Sequence, residues 1–262
     1  MTQFKKYLNF VQPWVDPLGI LLWAVVLLKY WITGKLNILI HPNYFGLTVL
    51  GGLGLLAMGT LKLWQVLVVQ GIIRSRTFAT IPAQNQQHMT LFPPGWSSRI
   101  LLGVAIVALV VTPRTFGSHT ALQRGLTETL PVTRIQPQAF YTAAKPEERS
   151  LIEWMRLLNI DPEPDNYQDQ AVNVTGFVIY PPSLPKGYLW LARFVITCCA
   201  ADAYPVGLPV LLPENSQQSY PQDSWLEIKG QMTTTTLNDQ RQLTIQAQSI
   251  QPIPEPRNPY DY

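Results

Sequence analysis

Two cysteines stand side by side at Cys198 and Cys199, with no others in the chain, and Asp202 follows three residues later. Thiolates are soft ligands and a carboxylate is a hard one, so the trio suits a borderline cation such as zinc or another soft metal ion. Neighbouring side chains on a flat strand point to opposite faces. Two adjacent thiols therefore serve one site only where the strand ends or bends, and Ala200, Ala201 and Pro205 favour a bend here. Three ligands leave a tetrahedral shell one short. Spacing does not choose between His41, His119 and a separate protein for the fourth. Two other readings of the pair stay open. Free cysteine is among the most buried residue types, which allows a purely structural role. A vicinal disulfide would be strained and easily reduced, which makes the pair a redox candidate.

The elements that must position this string fall into two unlike halves. The first 114 residues hold nine Lys or Arg and one acid, Asp16, whereas the rest hold ten bases and fifteen acids. This asymmetry, with 47% hydrophobic residues overall, argues against a soluble single-domain enzyme and excludes disorder for the apolar half. The bases lie among apolar runs and not on a polar face, so no nucleic acid is expected as a partner. A bilayer core of roughly 30 Å needs about 20 apolar residues in a helix. Three stretches approach that length, at about 14–33, 44–69 and 96–116, and predict three transmembrane helices over 1–114. Lys29 and Lys62 are expected to snorkel to the headgroups. The first run is followed by Lys-Tyr-Trp and not by a small-x-small site, as in a retained signal anchor.

Counting positive charge places Lys5, Lys6, Arg74, Arg76 and Arg99 on one side against Lys35 and Arg114 on the other. With three spans the N-terminus is then cytoplasmic and the C-terminal half exterior, at the plasma membrane; two spans would leave that half in the cytoplasm. His88 falls on the cytoplasmic side, away from the cysteines. The second span is rich in Gly and Ala, with Thr48 and Gly52 at small-xxx-small spacing, which lets another helix approach closely.

The C-terminal half begins with a connector over 115–170. Within it an amphipathic helix is expected near 146–158, with Leu151, Trp154, Met155 and Leu158 on one face. Alternation then predicts five strands over 171–254: Ala171–Tyr180 with a bulge or tight curvature at Gly176, Tyr188–Cys198, Leu208–Leu212, Trp225–Met232 and Gln242–Ile250. Five short strands in so few residues fit a small OB-like five-stranded barrel, with a β-sandwich as the alternative. Residues 255–262 are left as a tail.

The string from Arg193 to Val210 (RFVITCCAADAYPVGLPV), followed by Asp223–Gly230 (DSWLEIKG), resembles the YcgQ-type family of two-component permease subunits. Ile40-His41-Pro42 and the closing Pro-Tyr-Asp-Tyr at 259–262 are similar to it as well. The resemblance implies a membrane-anchored, non-enzymatic partner of a larger polytopic permease, connected with zinc homeostasis. It marks Cys198, Cys199 and Asp202 as the metal-binding positions.

Overall fold

The computed structural model describes residues 2–71, 96–126, 145–213 and 220–262, with side chains from residue 13 onward. Arg74, Arg76, His88 and part of the connector lie outside the described residues. The chain divides into a helical unit (residues 1–36 and 42–113) and a second unit (37–41 and 114–262).

In the helical unit, α1 (Thr2–Ile32) packs against both α2 (Phe45–Val69) and α3 (Trp96–Val110). Two apolar stretches, Pro13–Ile32 and Pro42–Val69, have 20 and 28 residues and are long enough to cross a membrane. The third is shorter than its sequence promised. α3 has 15 residues, a rise of roughly 22 Å, and Pro113 follows its end. Its last carbonyls have no helical partners and are capped from α1. The Tyr30 hydroxyl donates to Ala108 O, and Lys29 Nζ donates to Leu109 O at 3.0 Å. Lys29 therefore caps a helix within its own unit. Gly52 and Gly59 let α1 approach α2 closely, since a Cβ would lie 3.3 and 2.8 Å from side-chain atoms of Leu28 and Leu21.

The second unit is built on a six-stranded sheet: β1 (Ala171–Ile179), β2 (Tyr188–Val195), β3 (Tyr204–Leu211), β4 (Trp225–Leu237), β5 (Gln240–Ile253) and β6 (Tyr260–Asp261). The order is β1-β4-β5-β3-β2-β6, and β1 also pairs with β2. β3 runs parallel to β5, and β2 parallel to β6; the other pairings are antiparallel. One face carries Val172, Val174, Leu189, Leu191, Ile228, Met232 and Ile245 into a core. Helix α5 (Leu151–Ile160) closes that core with Leu151 and Trp154. A second aromatic cluster joins Phe177, Phe194, Trp225 and Tyr260 with Ala121 of α4 (Ser118–Gln123).

Several boundaries differ from the sequence reading. α5 begins at Leu151 because Ser150 forms a capping box with Glu153; Pro146 instead opens a short 3-10 turn. β3 starts at Tyr204, running through Pro205, Gly207 and Pro209. The two prolines sit at alternate positions, where a missing N–H is tolerated if it would face away from β2. β4 and β5 continue to a two-residue turn at Asn238 and Asp239, both in the left-handed region (φ 49° and 60°), as a type I′ hairpin requires. The bulge lies at Lys229/Gly230 and not at Gly176, which pairs in register with Leu226. Part of the expected tail forms β6 beside β2.

Candidate metal centre

β2 ends at Val195, pinned by a hydrogen bond from Ile196 N–H to Asp261 O at 3.1 Å, and residues 196–203 form the connection to β3. Both cysteines lie in this connection, past the strand, where alternation no longer holds them to opposite faces. Their sulfurs are 3.7 Å apart, with Cys198 exposed and Cys199 half-buried.

Asp202 folds the loop. It accepts from the Thr197 hydroxyl, from Cys198 N–H at 2.9 Å and from Cys199 N–H at 3.1 Å, while its own N–H donates to Cys199 O at 3.1 Å. Burial pushes the Asp202 carboxyl up, but these donors together outweigh it and hold the group below the ordinary carboxylate value. The neighbouring thiol moves the other way. Its hydrogen bond with Cys199, then the Asp202 carboxylate, pushes Cys198 up to about 11.

Two further elements hold the loop in place. Arg124, just past α4, donates to Ala203 O and, at 3.4 Å, to Ala200 O, and its guanidinium lies over the Phe116 ring at 4.7 Å. On another side, residues 39–41 pair with the loop through a bridge between Ile40 and Cys199. A cleft of about 730 Å³, lined by Gln123, Arg124, Thr197, Asp202 and Tyr204, opens beside Asp202.

The three sequence-marked residues come together, with ligand atoms within 4.8 Å of one another. The donor set fits a tetrahedral cation. At a Zn–S distance of about 2.3 Å the edge of a tetrahedron is about 3.8 Å, close to the sulfur separation here. A carboxylate has about four lone-pair positions, and the loop donors use three of those on Asp202. Neither His41 nor His119 belongs to the cluster as it stands, and His119 is exposed on α4. The sequence reading missed Thr197 and Arg124. The threonine before the cysteines was a local signal for a hydroxyl donor to Asp202, whereas nothing in the chain order links Arg124 to this loop.

Residues 146–262 match the family described as the DUF1980 C-terminal domain. The match, consistent with the YcgQ-type resemblance, takes in the Cys-Cys-x-x-Asp string, α5 and all six strands. No curated protein matches the chain.

Proposed function

We propose that the chain is a membrane-anchored accessory subunit of a larger polytopic permease, without enzymatic activity of its own. In this reading its C-terminal domain binds zinc or a similar soft cation through Cys198, Cys199 and Asp202. The observation that carries the metal part is the sulfur separation of 3.7 Å with a carboxylate in the same cluster. Two long apolar helices support the anchor, and α3 with its flanks serves as a third, shorter crossing. Three crossings with a cytoplasmic N-terminus put the C-terminal domain on the exterior. The pairing sequence β1-β4-β5-β3-β2 returning to β1, with β3 parallel to β5, supports an OB-like closed barrel.

Adjacent sulfurs also favour a membrane-tethered thiol-redox role. The elevated Cys198 thiol bears on both roles alike, because the thiolate is the exchanging species and also the metal ligand. Exposure of Cys198 weighs against a purely structural pair.

Metal analysis of the full chain in mild detergent, beside Cys198→Ser and Cys199→Ser, tests the binding. About one equivalent should be retained by the parent and lost from both variants. Equal content in all three would defeat the metal reading. An impermeant thiol reagent applied to intact cells should reach Cys198; failure to label it there, with labelling after lysis, would defeat the orientation.

A further inference from the structure

The three clustered ligands leave one corner of a tetrahedron to fill, and the segment between α1 and α2 runs directly alongside. Ala200 N–H donates to Leu39 O at 2.8 Å, His41 N–H donates to Cys198 O at 3.0 Å, and Ile40 bridges Cys199 in antiparallel sense. This is a short antiparallel ladder with Leu39 opposite Ala200, Ile40 opposite Cys199 and His41 opposite Cys198. Residues directly opposite in such a ladder lie close together, with Cβ atoms about 4.5–5.5 Å apart. In a longer ladder Cys198 N–H would return the second bond to His41. Here Asp202 takes that donor instead, so the ladder stops at the His41/Cys198 pair.

From this register we infer that His41 supplies the fourth ligand, giving a Cys198, Cys199, Asp202, His41 centre for a divalent borderline cation. The inference rests on the metal reading proposed above and extends it. The His41 ring now stands edge-on to Tyr262, with centroids 4.7 Å apart and planes at 75°. Rotation about its side-chain torsions would be needed to carry an imidazole nitrogen from this contact to the cluster. A centre with four protein ligands leaves no position for water, which is the arrangement of a holding site and not of a hydrolytic one. His119 shares no ladder with the cysteine loop and is excluded from the set.

The test uses the full chain in mild detergent and Co²⁺ as the probe, with Zn²⁺ competition. Binding should produce visible d–d bands of a tetrahedral centre. His41→Ala should weaken Co²⁺ binding by at least about tenfold and shift those bands, whereas His119→Ala should leave both unchanged. The inference is overturned, with the metal reading intact, if His41→Ala matches the parent while Cys198→Ser loses binding, or if His119→Ala carries the loss. Unchanged binding in Cys198→Ser would instead remove the metal reading and the inference with it. A loss caused by misfolding is separated by a measurement on the parent alone. With ¹¹³Cd and ¹⁵N-labelled histidine, one imidazole should show coupling to the metal, assigned to His41 by its persistence in a His88→Ala/His119→Ala double variant. Absence of any such coupling overturns the inference.

Discussion

Leucine is used in opposite ways in α2 and in β2. In α2, Leu47 and Leu50 are 70% and 69% exposed, whereas Leu189 and Leu191 of β2 are fully buried. The β unit builds its own core between strands and α5, as a domain in water must. The helical unit leaves most of its apolar surface outward, and only 11% of the most apolar stretch of α2 is buried. A surface of that kind is stable where its solvent is hydrocarbon or another apolar helix. Particular glycines show the same contrast. Gly230 faces backbone at its closest approach, while a methyl group added to Gly46, Gly51 or Gly54 of α2 would meet nothing within 4 Å. The two units thus use apolar residues differently, and the contrast is open to direct attack.

The largest effect is expected at the tryptophans. Trp154 is fully buried and stands edge-on to Tyr167, whereas Trp64 is 46% exposed on α2. Trp154→Ala should cost about 3–5 kcal/mol of unfolding free energy, and Trp64→Ala at most about 0.5 kcal/mol. Urea titration of the full chain in detergent, followed by circular dichroism, compares them. Equal losses would break the contrast.

Glycine substitution sharpens it with a change of sign. A Cβ on Gly230 would lie 2.1 Å from Gln246 O, a backbone atom that cannot move without disturbing the β4–β5 ladder. Gly230→Ala should destabilise by about 1–3 kcal/mol. Gly51→Ala meets no neighbour and should be neutral or stabilise α2 by up to about 1 kcal/mol. Thermal melts of both variants provide the comparison, and a destabilising Gly51→Ala would show that a partner helix already occupies that face.

The smallest expected effect concerns pH and belongs to the β unit. Asp261 pairs with Arg193 at 3.1 Å, both largely buried. Burial pushes the Asp261 carboxyl above its ordinary value of 3.8, with Arg193 pulling against that shift. The folded state therefore holds this proton more tightly than the unfolded chain. Its contribution to stability is fully present below the ordinary value and is lost as pH rises through the elevated folded value. Asp261→Asn should flatten the fall in melting temperature over that window. An unchanged slope would assign the dependence to other groups.

How far the sequence reaches can be judged from particular residues. Val172 and Val174 alternate into the core because the strand period is visible in the chain itself. Of the face expected to join Trp190, Ala192, Phe194, Ile196 and Cys198, the first four pack on the aromatic cluster, whereas Cys198 lies past the end of β2 at Val195. The start of β3 was not, because Pro205 and Gly207 carry turn chemistry that a strand accepts only beside a suitable neighbour. The extent of β4 was missed at Thr233–Thr236, whose place in the sheet depends on a turn built from Asn238 and Asp239 without glycine. The length of α3 was overestimated, since apolar character continues past the residue at which Pro113 ends helical pairing.

For the site, chain order alone determined that two thiols and a carboxylate lie within five residues, because ligand chemistry and local spacing are properties of a short string. It also determined that one half of the chain is apolar enough to leave water. Tertiary structure alone decided that Thr197 and Asp202 turn both cysteine N–H groups inward, that Arg124 clamps the loop, and that His41 lies opposite Cys198. The last two placements follow from pairing between segments far apart in the chain, whereas the turn held by Asp202 is local. Sequence periodicity reports which side of an element is buried, but carries no record of what lies against it.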